Sequence, residues 1–181
     1  RIILLFMKNT AIIIPARLGA KRFPNKPLVK INNIPMIIHV LNRAKESKVG
    51  EVIVATPDDE ILSAVKESGG KAILTAINHV SGSDRIYEVY LKELKDKVDL
   101  IINLQGDMPN IKPSSILKLE QLMRNNHCDI GTLATNIKDS RNNINPNVVK
   151  VQVDNNHIEI YIDRPIYNGR LILLNNASGF E

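Results

Sequence analysis

The sequence predicts an α/β domain with a mostly parallel β-sheet, and three observations predict it. Short continuous apolar runs recur over residues 11–104, as in strands that are buried on both faces of a sheet. The segments between them carry apolar residues at helical spacing, and several begin with proline or acidic residues. Strand-like and helix-like segments alternate along the chain, and this pattern is typical of parallel strands joined by helical crossovers.

The predicted strands are short apolar runs at 11–14, 52–55, 71–74 and 100–104. A proline or a glycine marks most of the predicted helix ends. The predicted helices run from Pro35 to near Gly50, from about 57 to the Gly69-Gly70 pair, from 83 to 94, and onward from Pro113.

The pattern changes after residue 129. The segments 130–137, 148–153 and 157–162 favour strands, and the last of these alternates as an antiparallel strand would. Asp154-Asn155-Asn156 is a predicted hairpin turn between two of them.

Composition limits the classes of function. The 181 residues include 24 Lys and Arg against 19 Asp and Glu, a net charge of +5, with no tryptophan. Because the cations are scattered and aromatic residues are few, this charge favours anionic small molecules over nucleic acid. No apolar run is long enough to predict a membrane span. Cys128 is the single cysteine, which fits a reducing compartment, and we expect a cytoplasmic protein.

The loop after the first predicted strand is rich in cations. It runs from Pro15 to Leu28 and contains Arg17, Arg22 and Lys26. Cations and exposed backbone amides at the end of a parallel strand suit a triphosphate. The loop lacks the Walker A spacing and the glycine pattern of dinucleotide-binding turns. An ordinary solvated loop is the alternative interpretation.

A second candidate loop, Gln105-Gly106-Asp107, follows the strand predicted at 100–104. The glycine would let a ligand approach the backbone. One carboxylate beside phosphate oxygens is an arrangement that Mg²⁺ uses. The alternative is an aspartate that caps a short turn.

Together the two loops carry a family resemblance over residues 11–164. The chain resembles the 3-deoxy-manno-octulosonate cytidylyltransferases, or CMP-KDO synthetases, of the sugar nucleotidyltransferase superfamily. The resemblance implies a Rossmann-like, mostly parallel sheet flanked by helices, of the nucleotide-diphospho-sugar transferase type. The segments that carry it are Pro15-Ala16-Arg17, Lys26-Pro27-Leu28, Pro35-Met36-Ile37, Val54-Ala55-Thr56, His79 with Ser81 to Arg85, Asn103 with Gln105-Gly106-Asp107 and Pro109, and Asn145-Pro146-Asn147 with Val149-Lys150.

The resemblance implies cytidylyl transfer from CTP to 3-deoxy-D-manno-octulosonate (KDO), in lipopolysaccharide biosynthesis. Arg17 and Lys26 would hold the triphosphate and stabilise the departing pyrophosphate, and Asp107 would bind Mg²⁺. CTP and KDO would be the substrates, and the family implies a homodimer.

Further substrate-binding positions follow from the same motifs. Residues 81–85 would border the nucleotide base, and Arg164 would face the sugar acid. We expect His79 to line the pocket wall, with acid–base catalysis as the alternative. The positions implied are Ala16, Arg22, His79, Ser81, Gly82, Arg85, Gln105 and Arg164.

The chain also departs from the family pattern. Met108, Ala76 and Asp163 stand where the family usually has Glu, Arg and Ser. We expect an incomplete nucleotidyltransferase domain over 7–164, truncated at its C-terminus, with an upstream extension at 1–6 and a non-matching tail at 165–181. The absent part would include a second metal ligand, a sugar-site strand and much of the dimer contact. Two alternatives stay open: an inactive remnant that binds CTP, and a cytidylyltransferase for another acidic sugar.

Overall fold

The computed structural model describes residues 9–19, 24–126, 129–133 and 141. The chain divides into two compact units, Arg1–Leu117 and Lys118–Glu181. The β-strands and the candidate site described below lie in the first unit.

Strands and helices alternate through the first unit, as the sequence predicts. The strands are β1 (Thr10–Pro15), β2 (Lys30–Ile31), β3 (Ile34–Pro35), β4 (Glu51–Thr56), β5 (Lys71–Leu74) and β6 (Leu100–Asn103). The helices are α1 (Met36–Glu46), α2 (Asp59–Glu67), α3 (Gly82–Val89) and α4 (Pro113–Asn125).

The described residues form one four-stranded parallel sheet in the order β5-β4-β1-β6, and β2 and β3 pair as a separate hairpin. The chain moves outward from β1 through β4 to β5, and then returns to the other side of β1 as β6. The strand order therefore reverses between β1 and β6. Ligands of open α/β sheets bind beyond the carboxyl ends of the strands at such a switch point.

The core is built around β1, whose residues 11–14 are fully buried. Ala11 and Ile13 belong to a cluster with Ile86 and Val89 of α3, so this helix packs on one face of the sheet. Because successive side chains of a strand alternate, Ile12 and Ile14 face the other side, where they are also inaccessible to solvent. The central strands β1 and β4 are covered on both faces, as their continuous apolar runs predict, whereas the outer strands β5 and β6 are partly exposed.

Helix α1 ends at Glu46, earlier than the sequence predicts. The Ser47 hydroxyl donates to the carbonyl oxygen of Ala44 at 2.6 Å, and Lys48 adopts a left-handed conformation with φ 55°. Gly50 serves another purpose, because a Cβ there would lie 1.8 Å from the carbonyl oxygen of Thr10. The glycine allows the connection into β4 to pass against β1.

The β2–β3 hairpin was not predicted. Asn32 and Asn33 form its turn with φ values of 49° and 65°. A pair of asparagines with positive φ is typical of the tight turns that join two antiparallel strands.

The helix predicted over 83–94 is α3 followed by a π-helical turn, Tyr90–Leu94. The amide of Lys95 donates to the carbonyl oxygen of Tyr90 at 2.8 Å. The strand predicted from residue 130 does not begin there, since 130–133 have no regular structure. The strands predicted at 148–153 and 157–162 lie outside the described residues. Across the described part of the chain, no helix combines the length and apolar character that a membrane span needs.

Candidate active site

The first side of the site begins where β1 ends. The amide of Ala16 donates to the carbonyl oxygen of Ala55 at 3.0 Å, which extends the pairing of β1 and β4 by one bond. The amide of Leu18 donates to Oδ2 of Asp58 at 2.8 Å. Arg17 lies between these two anchors, and its side chain is exposed. The loop thus holds the backbone of Arg17 while its guanidinium group remains accessible to a ligand.

A tight turn of the backbone determines the position of Lys26. Asn25, at φ 57°, precedes a short 3₁₀ turn over Lys26–Leu28. Lys26 Nζ donates to Oδ2 of Asp107 at 2.8 Å, and the two side chains are 40% and 53% exposed. The loops after β1 and β6, predicted separately from the sequence, therefore meet through their functional side chains.

Gly106 lets the two loops approach. A Cβ at this position would lie 3.0 Å from the carbonyl oxygen of Pro15 and 3.4 Å from Ala16 Cβ and Ile37 Cδ1. Such contacts are tight against backbone atoms, which cannot turn away as a flexible side chain can. Gly106 thus places Asp107 beside the end of β1. We call Arg17, Lys26 and Asp107 the strand-end side of the site.

The opposite side is formed by the start of α3 and the residues before it. We call His79, Ser81, Gly82 and Arg85 the helix side. Ser81 and Asp84 form a capping box: the amide of Asp84 donates to Ser81 Oγ at 3.2 Å, and the amide of Ser81 donates to Asp84 Oδ2 at 2.9 Å. Hydrogen bonds from Ser81 lower the pKa of the Asp84 carboxyl. The side chain of Ser81 therefore fixes where α3 begins.

Arg85 is buried, with 3% of its surface exposed. Its Nη1 donates to Oγ1 of Thr75 and to the carbonyl oxygen of Ala76, the latter at 3.1 Å. Burial lowers the pKa of Arg85, and the positive charge of Arg17 lowers it further. Two guanidinium groups thus repel each other at one site, and an anionic ligand between them would relieve this repulsion.

His79 forms a hydrogen bond through Nε2 with Oε2 of Glu88. The same carboxylate oxygen accepts from the amide of Ala76 at 2.9 Å, and Lys92 Nζ donates to Oε1 at 2.5 Å. These bonds lower the pKa of Glu88 to about 2, and the bond from Lys92 has the largest effect. Glu88 is therefore a carboxylate at neutral pH.

The two sides enclose a cavity of about 270 Å³. This is close to the lower end of the ~300–1,000 Å³ that small-ligand sites occupy. Every predicted site residue within the described ranges lines it. These residues are Ala16, Arg17, Lys26, His79, Ser81, Gly82, Arg85, Gln105 and Asp107.

The remaining predicted positions, Arg22 and Arg164, lie outside the described residues. Sequence reasoning missed Asp58, Thr75 and Glu88. Their side chains form hydrogen bonds with Leu18, Arg85 and His79, respectively. The Ser-x-x-Asp pattern at 81–84 could have revealed the capping box, but no local pattern joins Glu88 to His79 or Asp58 to Leu18.

The chemistry of the cavity is that of an anion site with one carboxylate. Three cationic side chains and the Asp107 carboxylate line it. No group of three or more potential metal ligands occurs within the described residues. Among the described residues that line the cavity, Asp107 offers the carboxylate, the kind of ligand that Mg²⁺ combines with phosphate oxygens and water.

A family model described as "Cytidylyltransferase" matches residues 11–174 of this chain. The chain belongs to the cytidylyltransferase family. The matched range contains all the residues that line the cavity.

Two relatives carry the name 3-deoxy-manno-octulosonate cytidylyltransferase. The one from Thermodesulfovibrio yellowstonii is 48% identical over 161 residues, which cover 86% of this chain and 63% of that protein. The one from Nitrobacter winogradskyi is 46% identical over 143 residues, which cover 78% of this chain and 56% of that protein. This cytidylyltransferase chain therefore spans roughly three fifths of the length of these relatives.

A solved structure of CMP:2-keto-3-deoxy-manno-octonic acid synthetase complexed with CTP is similar in fold. The two chains share 40% sequence identity with a TM-score of 0.80, over 90% of this chain and 67% of the other. The predicted mostly parallel sheet flanked by helices is thereby confirmed at the level of the fold.

Proposed function

We propose that this cytidylyltransferase transfers the cytidylyl group of CTP to 3-deoxy-D-manno-octulosonate, giving CMP-KDO and pyrophosphate for lipopolysaccharide biosynthesis. The observation that carries the proposal is the convergence of Arg17, Lys26 and Asp107 on one cavity at the switch point of the sheet. The names of the similar proteins support KDO as the acceptor and CTP as the donor.

The reaction needs no covalent intermediate on the protein. The C2 hydroxyl oxygen of KDO attacks the α-phosphorus of CTP and loses its proton. The bond from that phosphorus to the bridging oxygen of the β-phosphate breaks, and pyrophosphate departs with the electron pair. Such transfers depend on positioning and on stabilisation of phosphate charge. Arg17 and Lys26 are suited to this, because both cations line the cavity on accessible side chains.

We assign Lys26 to the phosphates that leave and Arg17 to the triphosphate as a whole. Within the described residues, the half-exposed Asp107 carboxylate is the partner of the Lys26 ammonium group, so a phosphate can replace it. Exposed ion pairs of this type contribute little to folding, commonly under ~1 kcal/mol. Exchange of partners on substrate binding is therefore inexpensive in free energy.

The cofactor that we propose is Mg²⁺, and the donor set fits it. Asp107 offers a hard oxygen ligand in the lining of the cavity, and phosphate oxygens of the substrate would supply further ligands. When bound, the ion neutralises phosphate charge and increases the electrophilicity of phosphorus. Asp107 would hold the ion, while Lys26 would move from the carboxylate to the substrate.

The helix side is the proposed location of the nucleoside. The residues that line the cavity on this side or beside it are Ala16, His79, Ser81, Gly82, Arg85 and Gln105. Gln105 Nε2 donates to Asn103 Oδ1 at 2.7 Å, which orients the amide at the cavity wall. Arg22 and Arg164 remain predicted contacts of the phosphates and of the sugar acid. The proposed location of the reaction is the cytoplasm.

The relatives' shared name favours this reaction over an inactive CTP-binding protein. The other alternative, a different acidic sugar as acceptor, differs only in the sugar that the site accepts. Both alternatives are distinguished by the same assay.

Release of pyrophosphate from CTP, KDO and Mg²⁺ by the purified chain tests the proposal. An Asp107→Asn variant keeps the size of the side chain and removes the charge that would hold the ion. We expect release by the wild type and a loss of roughly a thousandfold in the variant, since metal ligation contributes several kcal/mol to such transfers.

The matched control is Asp59→Asn, an exposed acidic residue of α2 that does not line the cavity. We expect wild-type activity from it. Release with another 2-keto sugar acid and not with KDO would establish the alternative acceptor. No release with any acceptor, from a protein whose melting temperature CTP raises, would establish the inactive binding protein.

A further inference from the structure

The loop after β5 is held by two residues one helical turn apart on α3. Arg85 donates to Thr75 Oγ1 and to the carbonyl oxygen of Ala76. Glu88, three residues further on, accepts from the amide of Ala76 and bonds to His79. Both polar groups of the Ala76 backbone are thus bound by side chains of one helix. Glu88 itself does not line the cavity, whereas Arg85 and His79 do.

We propose that Glu88 is a positioning residue for nucleotide recognition, which fixes the ring of His79 in one tautomer at the cavity wall. This inference rests on the proposed function for the identity of the nucleotide. The Glu88 carboxylate accepts hydrogen bonds and donates none, so His79 Nε2 carries the proton between them. A neutral His79 ring therefore has an unprotonated Nδ1.

The contact with Glu88 therefore determines whether His79 presents a hydrogen-bond donor or an acceptor at the cavity wall. Nδ1 of a neutral His79 is a hydrogen-bond acceptor, and it is the only ring nitrogen not bound to Glu88. An acceptor suits a ligand donor such as an exocyclic amino group or a ribose hydroxyl, and it disfavours an unprotonated phosphate oxygen. Without Glu88 the ring could adopt either tautomer. Molecules with the proton on Nδ1 would then no longer favour a ligand donor over a phosphate oxygen.

The other contacts of Glu88 support a role beyond folding. Lys92 binds Oε1, while Ala76 and His79 share Oε2, so the two carboxylate oxygens have separate partners. The side chains of His79 and Glu88 are 19% and 18% exposed, whereas that of Lys92 is 51% exposed. The carboxylate therefore faces the ring from a partly sheltered position, with the lysine on its solvent side.

The experiment compares Glu88→Gln with Lys92→Met. The first removes the charged acceptor of His79 and keeps the size of the side chain. The second removes the lysine that binds the other carboxylate oxygen, together with its longer bond to the carbonyl oxygen of Leu74 at 3.4 Å. We measure kcat and KM for CTP in the pyrophosphate assay, and the dissociation constant of CTP directly. We also record ¹⁵N NMR shifts of the His79 ring as the pH is raised, because these shifts show which ring nitrogen carries the proton of the neutral ring.

We expect Glu88→Gln to raise KM and the dissociation constant for CTP by about tenfold or more, as loss of a charged hydrogen bond would. The kcat should change less than threefold, because Glu88 does not line the cavity. Lys92→Met should leave both constants within about twofold. The His79 ring should be protonated at Nε2 in the wild type and a mixture of tautomers in Glu88→Gln.

Three results would overturn the proposal. One is unchanged CTP affinity in a folded Glu88→Gln variant, and another is an equal loss of affinity in Lys92→Met. The third is a wild-type His79 protonated at Nδ1, which needs no variant and so applies even if Glu88→Gln fails to fold. CTP binding without turnover would refute the proposed reaction and leave this inference testable by affinity. A wild type that binds no CTP would refute both.

Discussion

The two sides of the cavity are built in opposite ways. On the strand-end side, Lys26 and Asp107 are about half exposed and are joined by a single ion pair. On the helix side, Arg85 is almost completely buried, and Ser81 takes part in the cap of α3. The charged groups of the strand-end side are bonded mainly to each other. The polar groups of the helix side form hydrogen bonds that fix other parts of the protein.

The difference between the two sides suggests that one side binds charged groups and the other recognises the shape of the ligand. Phosphates and a cation need partners that can be exchanged, and an exposed ion pair contributes little that must be given up. A nucleoside needs a fixed outline, and buried hydrogen bonds provide rigidity because an unpaired group would be costly. If this division is correct, variants of the first side should affect catalysis alone, and variants of the second should also affect stability.

Among the variants that test this division, Lys26→Met should have the largest effect. Removing the ammonium group should lower pyrophosphate release by roughly a hundredfold to a thousandfold, as loss of one group that stabilises transition-state charge does. The free energy of unfolding in urea should change by less than ~1 kcal/mol, because the ion pair is exposed. Lys30→Met, at an exposed lysine of β2, is the matched control and should retain activity. A large loss of stability in Lys26→Met would remove the contrast between the two sides.

Arg85→Met should have a smaller effect on activity but a clear effect on stability. The variant removes the donor of Thr75 Oγ1, which is buried, and of the carbonyl oxygen of Ala76, an exposed residue. Urea unfolding should show a loss of about 2 kcal/mol, the usual cost of an unpaired buried group. Arg43→Met breaks an exposed pair with Glu46 at 2.9 Å and should cost under ~0.5 kcal/mol. Equal losses in the two variants would show that the helix side is no more firmly held than the surface.

The smallest expected effect is on the pH dependence of stability. The pKa of Glu88 is about 2 in the folded chain, below its ordinary value of 4.5. Between these values the unfolded chain binds more protons, so the contribution of Glu88 is complete above about pH 4.5 and is lost as the pH falls toward 2. The difference in unfolding free energy between wild type and Glu88→Gln should therefore narrow from about pH 6 to about pH 3.

High salt provides a second check of the same contribution. The Lys92 partner of Glu88 is half exposed, so its share should be screened, whereas the bond from the Ala76 amide should not. A difference between wild type and Glu88→Gln that stays constant over the whole pH range would contradict the lowered pKa.

The sequence predicted the strand-end side well because its signals are local. Arg17 and Asp107 each follow an apolar run of the sequence, and parallel strands bring their carboxyl ends to one edge. The fold class followed from the same runs. What sequence reasoning could not give was the ion pair of Lys26 with Asp107, which depends on β6 returning beside β1.

The sequence located the residues of the helix side, but it did not reveal the hydrogen bonds that hold them in place. The motif around His79 and Arg85 located the wall, yet nothing local links Glu88 to His79 across nine residues. The end of α1 was placed too late for a related reason, since Gly50 is required by the approach of the chain to Thr10 and not by a helix cap. Contacts between distant elements determine these features, and a pattern confined to one element cannot reveal them.

The close packing at Gly106 has a consequence for anyone who would redesign this site. Its backbone lies against the carbonyl of Pro15 and the side chains of Ala16 and Ile37. Neither ligand-facing loop can shift without displacing the other or the first turn of α1. A redesigned strand-end side would therefore have to be transplanted as a matched set, with both loops and the start of that helix taken from a single parent.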